Sequence, residues 1–412
     1  MQQFIDLYRR SFAGLPRRVW YLAAVLLINR AGAMVIAYLT VYLTQERDFT
    51  TTRAGLVMAA FGAGGMAGNY LGGYLNDRFG SYHVQWISLL GSGLLFFVLQ
   101  GVSDFYFLCG TIFLLATVAD CFRPANKAAT AYYTAPENLH RAFGLLRMAV
   151  NLGISMGPML GAWLIASVGY DFLFYIDGLT CVLSAVLFGL LLPPDETTRP
   201  VAETVTAPPP AAPGQSPPPG NVLQPARPFT LGRLFAFCGG NLLIAVAFMQ
   251  FFTTLPVYLT QLGYEAWHLG ALYTFNGLMI VVCEMPLIYL LSQRFSRITL
   301  IGIGGGLIGL AHLFLSTTAL IGGISLLAFS FIVTLGEILE MPFAGAYITS
   351  VSPLSRRGRY LGWLAISFSA GFIIAPIGGF FLIEHLGAEA AYTVIGLLGC
   401  AGGGLMYWVG RG

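Results

Sequence analysis

Val41-Tyr42-Leu43-Thr44-Gln45 returns as Val257-Tyr258-Leu259-Thr260-Gln261, 216 residues further along the chain. The same offset carries Asp77-Arg78 onto Gln293-Arg294. Arg141 and Gly144 precede Pro158 and Gly161 by 17 residues each, and Arg359 and Gly362 precede Pro376 and Gly379 by the same 17, now at an offset of 218. One pentapeptide can recur by chance, but four features in register across half a chain mark a duplicated unit. The repeats lie in long apolar segments. The expected fold is therefore an all-α membrane protein of two parallel halves, related by a two-fold axis along the membrane normal. Such halves can enclose a path that opens to alternate sides.

Composition agrees. Of 412 residues, 57% are hydrophobic and only 9% charged, with a mean hydropathy of +0.74. A soluble domain is about 25% charged, so this chain cannot furnish a polar surface for water. Its 51 glycines suit close helix contacts in lipid, where small residues let backbones approach. The six cysteines are spread through apolar segments without metal-ligand spacing, and are read as packing residues. A net charge of +3 without basic runs gives no reason to expect a nucleic-acid partner. The five histidines are scattered and no Ser/His/Asp grouping recurs near one membrane face, so the chain is not read as an enzyme. Met1 to Arg18 is polar and basic, and no small-residue cleavage site follows the first span, which is expected to be retained.

A bilayer core needs about 20 apolar residues per helix. Twelve segments qualify: 19–43, 54–75, 84–102, 105–132, 142–168, 171–192, 231–259, 267–291, 298–317, 320–349, 360–383 and 389–409. Between the sixth and seventh lies Pro193 to Pro228, with Pro208-Pro209-Pro210 and Pro217-Pro218-Pro219, too poor in apolar side chains to pack and expected to be an extended linker. The expected division is residues 1–192, a six-helix bundle; 193–228, the linker; and 229–412, a second six-helix bundle. With the N-terminus inside, fifteen Lys and Arg residues face the cytoplasm and only Arg47 and Arg53 lie outside, which puts both termini and the linker in the cytoplasm.

Three motifs then carry a family resemblance. Gly73-Tyr74-Leu75-Asn76-Asp77-Arg78-Phe79-Gly80 follows the second span, with Ser81-Tyr82-His83 where a basic tail is usual. Arg123 and Asn126 lie on the fourth span, with Lys127 where a glycine is usual. Gly153-Ile154-Ser155-Met156-Gly157-Pro158-Met159-Leu160-Gly161 lies on the fifth. Together they resemble the major facilitator superfamily over all twelve spans, and within it the drug:proton antiporter-like branch. In physical terms, Gly73 is expected to let the end of the second span approach a neighbour. Asp77 can accept from exposed N–H groups of a facing helix end, and Arg78 can pair with a carboxylate, so the two read as a latch on the cytoplasmic side. Gly153, Gly157 and Gly161 should admit a close helix partner, and Pro158 should bend its span, as Pro376 should in the eleventh. A packing kink with no transport role is the alternative.

Ionisable groups at mid-membrane are functional candidates by default. Asp120, Arg123 and Lys127 share one face of the fourth span; Arg30 with Asn29 and Arg147 with Asn151 add bases on the first and fifth, and Asp177 lies on the sixth. The second half offers only acids: Glu284, Glu337 and Glu340. A cationic wall facing an anionic one suits a zwitterion such as a short peptide; the competing reading is that these charges pair between the halves as gating bridges. Asn29, Arg30, Tyr38, Asp120, Arg123, Lys127, Asn151, Glu284 and Glu340 are the expected cavity residues. Tyr42, Phe251, Phe252, Tyr273 and Phe275 are further possible wall residues. Proton coupling requires a carboxylate that is neutral in one state and charged in another. The candidates are Glu337 first, then Glu340, Glu284 and Asp120. Gly73, Asp77, Arg78, Arg147, Gly153, Gly157, Pro158, Gly161 and Pro376 are expected to gate.

The resemblance implies a secondary transporter in a bacterial plasma (inner) membrane, exchanging amphipathic or drug-like compounds for protons by alternating access. Proton-coupled symport of short peptides or another zwitterion is the alternative. The chain is expected to act as a monomer with a small-molecule substrate in a lipid bilayer, without a cofactor, driven by the proton gradient.

Overall fold

The computed structural model describes residues 14–135, 138–192, 194, 229–318, 322–352 and 357–411. Apart from Pro194, the expected linker lies outside these residues. Among the described residues, eleven helical stretches are long and apolar enough to cross a membrane. One of them, Thr51–Gln100, is two spans joined at Gly80, whose φ of 78° breaks the helix where a side chain would be strained. The total is therefore twelve.

The spans are, in order, Arg17–Ala31 with Val35–Gln45; the two halves of Thr51–Gln100; Phe105–Asp120 with Phe122–Tyr133; Leu139–Val168; and Asp171–Leu191. After the gap come Leu231–Met249 with Thr254–Gln261, Ala266–Ser292, Arg297–Leu315, Gly323–Val351, Arg357–Leu386 and Ala388–Arg411. Starts are capped by short polar side chains: Thr50, Asp104, Thr230 and Ser296 each accept the N–H of the residue three further on, satisfying a donor the helix leaves orphaned. We call the face that holds the start of the first span the inner face and the opposite one the outer face.

The six spans before the gap pack together, as do the six after it. The halves meet through the fifth span on the eighth, the second on the eleventh, and the ends of the first and seventh on each other. The first two pairings are exchanged by the repeat, since the fifth span corresponds to the eleventh and the second to the eighth. Small residues set the contacts. A methyl group at Gly55 would come 3.1 Å from the Pro376 carbonyl, one at Gly62 2.9 Å from Phe372, and one at Gly277 2.5 Å from Ser155. The outer face is sealed by these contacts and by the Thr52 hydroxyl donating to Glu384 at 3.0 Å. Among the described residues, the inner ends of the fourth and tenth spans make no comparable packing, and there the halves part toward the inner face.

Neither break in the first nor the one in the seventh span falls at a proline. The first breaks at Gly32–Met34, where Asp177 of the sixth span accepts the N–H groups of Met34 at 3.0 Å and Val35 at 2.9 Å. Asp177 is thus the cap of a half-helix rather than a ligand group, its buried carboxyl set against the N-terminal end of Val35–Gln45. The seventh breaks at Gln250–Thr253, where Tyr273 donates to the Phe251 carbonyl at 3.0 Å and the Gln250 amide to the Ala375 carbonyl at 2.9 Å. Irregular backbone survives at membrane depth because side chains take up its polar groups. Pro158 and Pro376, by contrast, sit inside unbroken helices.

Candidate functional site

The glycines of the fifth span do what their spacing predicts. A methyl at Gly153 would lie 2.6 Å from the Arg30 Cβ and 2.9 Å from the Leu27 carbonyl. One at Gly157 would lie 3.0 Å from the Ala31 carbonyl, and one at Gly161 3.0 Å from the Tyr38 ring. The bare stripe therefore fixes the height of Arg30 and Tyr38 on the first span. The Tyr38 hydroxyl donates to the Pro158 carbonyl at 2.6 Å and also faces the Ala266 carbonyl of the other half at 3.3 Å.

Beside this contact lies a cavity of about 80 Å³ inside the first half, lined by Asn29, Arg30, Ser88, Ser92, Asp120 and Arg123 among others. Asp120 binds the Arg123 guanidinium at 2.8 Å and accepts from Asn69 at 3.3 Å. Asn29 points its amide at the Cys181 sulfur, 3.3 Å away. Arg30 is half-buried at the cavity, and Lys127 is exposed one turn beyond Arg123. Among the described residues, neither has an acidic partner within ion-pair distance.

Across the seam, Arg147 binds Glu284 at 2.6 Å, joining the fifth span to the eighth. Asn151, a turn further along, is half-buried, and its carbonyl would lie 3.1 Å from a methyl at Gly277. Glu337 is half-buried and accepts from the Asn276 amide at 3.0 Å; that amide also meets the Thr334 hydroxyl at 3.0 Å. Glu340 is 1% exposed. It packs against the ninth span, where a methyl at Gly304 would be 2.7 Å from its backbone nitrogen. Its Oε1 has no hydrogen-bond partner among the described residues. The Glu340 Cβ lies 3.0 Å from the same methyl position at Gly304, so the base of the side chain packs on the ninth span within its own half.

The four bases of the first half thus divide into two kinds. Arg123 and Arg147 form ion pairs, one within its half and one across the seam; among the described residues Arg30 and Lys127 form none, though Arg30 shares its cavity with Asp120. The acids divide likewise, with Glu284 paired and Glu337 held only by an amide.

At the inner face, Asp77 and Arg78 are exposed. Arg78 lies over the Phe79 ring at 5.3 Å, and neither residue forms an ion pair among the described residues. The close approach expected of Gly73 is made by its neighbour. A methyl at Gly73 would meet nothing within 4 Å, whereas one at Gly72 would lie 2.6 Å from the Cys121 backbone and 2.8 Å from Pro124. The motif glycine has turned outward because the helix phase presents Gly72 to the fourth span.

Of the aromatic residues, Tyr38, Phe251 and Tyr273 are buried, Phe252 stacks on Tyr273 with 6° between rings, and Phe275 is exposed. Tyr42 serves the outer loops, donating to Asp171 at 3.3 Å and accepting from Arg47 at 2.6 Å. Asn276 was missed in the sequence. Its signal was an amide within an apolar span, eight residues before Glu284.

Comparison with known proteins matches this arrangement. The model of the Major Facilitator Superfamily matches residues 22–339 and 285–411. The chain is 25% identical to the uncharacterized MFS-type transporter YqjV of Bacillus subtilis, over 89% of this chain and 86% of that one. It is 23% identical to the multidrug resistance protein MdtH of Aeromonas salmonicida, over 92% of each. Among solved structures, it is similar to a POT family transporter in complex with 5-aminolevulinic acid. That match has a TM-score of 0.78 and 14% identity, and covers 95% of this chain and 96% of that one. With the duplicated six-helix halves, the capped half-helices and the glycine-lined seam, the family match leaves one assignment: this chain is a member of the major facilitator superfamily, a secondary transporter and not an enzyme.

Proposed function

We propose that the chain carries a small zwitterionic metabolite, such as a short peptide, inward together with protons. The observation that carries this reading is that Arg30 and Lys127 form no ion pair among the described residues, while the ionisable groups within the second half's spans at the seam are carboxylates. An uncompensated charge near mid-membrane is costly. A substrate carboxylate that completes Arg30 and Lys127 offsets that cost only while bound. Glu337 is the acid that remains reachable, and it serves both the substrate's amine and the coupled proton; Glu340, buried against the ninth span, does not contact substrate in this arrangement. The exposed Asp77-Arg78 pair belongs to the cytoplasmic latch, released here because the halves are parted on that side. The bundles correspond to residues 1–192 and 229–412, and the transporting unit is the monomer.

Lys127→Ala tests it by titration calorimetry with a zwitterion and its carboxyl-amidated analogue. Losing one charge-assisted, partly desolvated contact is worth ~1.5–3 kcal/mol, roughly ten- to a hundredfold in affinity. That loss should fall on the zwitterion and spare the amide. Equal losses for both would assign Lys127 to the helix bundle and remove the reading.

A second reading, export of amphipathic compounds in exchange for protons, is supported by the complete fifth-span motif around Gly157-Pro158 and by the multidrug resistance relative. In that case K127A should bind lipophilic cations as well as the unmodified protein, or better.

A further inference from the structure

On the side of the fourth span turned away from Asp120 and Arg123 runs a second depression, of about 570 Å³, between the second, third and fourth spans. Its walls are Leu75, Val84, Ile87 and Val118, and Ile87 is 58% exposed. Arg78 and His83 lie at its inner-face end, and no acidic residue lines it among the described residues. The turn at Gly80, with its positive φ, brings these two polar side chains onto one rim.

We propose that this groove is a binding site for an anionic phospholipid whose headgroup carries a hydroxyl. Three features select that occupant. The walls are apolar and stand on a surface that faces hydrocarbon, so the body of the ligand is an acyl chain. Arg78 stands at the loop level of the second and third spans, where headgroups lie. Among the described residues it is held only by the Phe79 ring, which leaves its guanidinium edge able to take a phosphate in bidentate fashion. His83 has its Nδ1 3.2 Å from the Phe79 carbonyl. In the neutral tautomer that donates there, Nε2 is left as an acceptor and matches a headgroup hydroxyl. Asp77, exposed beside Arg78, opposes a bare anion but can accept from the same hydroxyl. A lipid seated this way holds Arg78 at the membrane surface and away from any latch contact. Anionic lipid would thereby favour the arrangement that is open at the inner face.

Native mass spectrometry of the full chain, released from nanodiscs containing equal phosphatidylglycerol and phosphatidylcholine of matched acyl chains, reads the preference directly. One basic side chain near a membrane surface is worth roughly 1 kcal/mol, so retained phosphatidylglycerol should exceed phosphatidylcholine about fivefold. Arg78→Gln should bring the ratio to about one. Ile87→Trp, at an exposed position, should fill the groove and lower retention of both lipids. Equal retention by the unmodified protein overturns the proposal. So does a preference that survives in both R78Q and I87W, since it would then belong to another surface. Displacement of phosphatidylglycerol by a soluble acidic peptide at equal concentration would overturn the lipid as occupant.

Discussion

Arg147 and Glu284 meet at 2.6 Å across the seam, and they are the one ion pair among the described residues that ties the two halves together. The Glu284 side chain is 5% exposed and that of Arg147 41%, so the acid depends on the base more than the reverse.

Arg147→Ala strands that carboxylate. The cost should be about 1–3 kcal/mol, below the value for a fully buried pair because Arg147 is partly solvated. Glu284→Gln, which removes the charge itself, should cost less, and the double variant should restore most of what R147A loses. Thermal unfolding of the four proteins in one detergent measures the coupling. Additive losses would show that the bridge carries no coupling energy.

Asp77→Asn should slow transport with little loss of folded protein. The exposed carboxylate makes no ion pair among the described residues, so its work lies in the opposite state. Flux into proteoliposomes, normalised to inserted protein, checks this; full activity of D77N removes the latch.

Glu337→Gln keeps the hydrogen-bonding partner of Asn276 but cannot release a proton. Accumulation driven by a pH gradient should disappear, while counterflow of substrate persists with weakened affinity for zwitterions. Both fluxes can be measured on one reconstituted sample. Gradient-driven accumulation equal to that of the unmodified protein would shift coupling to Glu284 or Glu340.

Gly72→Ala and Gly73→Ala, adjacent and chemically identical changes, should differ. The first pushes a methyl into the Cys121 backbone and should cost about 1–3 kcal/mol as overpacking. The second meets open space and should be neutral in stability. Melting temperatures of the two variants decide it, and equal shifts would contradict the packing at Gly72.

Much of this was legible in the sequence. Twelve spans follow from apolar length, and the packing of Gly153, Gly157 and Gly161 on one neighbour follows from a four-residue period. What escaped depends on partners distant in the chain. Asp177 read as an intramembrane charge because the N–H groups it caps belong to residues 143 and 142 positions earlier. The breaks at Gly32–Met34 and Gln250–Thr253 carry no proline, so nothing local announced them. Gly72 and Gly73 are indistinguishable until the helix phase is known. That Arg147 would meet Glu284 while Arg30 formed no ion pair among the described residues could not be read from composition, since both are bases on apolar helices.

The two seams that the duplication makes equivalent have since diverged. Shifting Arg147 by 218 residues reaches Ala365, and shifting Glu284 back by 216 reaches Gly68, so the counterpart of the bridge is two uncharged small residues. Both seams pack glycine against backbone, but one is joined near its outer end by the Thr52 hydroxyl on Glu384 and the other by an ion pair. A rigid half that rocks over such a pair is held by unlike fasteners on its two flanks, which gives its swing a preferred tilt that an exact copy of the ancestral unit would lack.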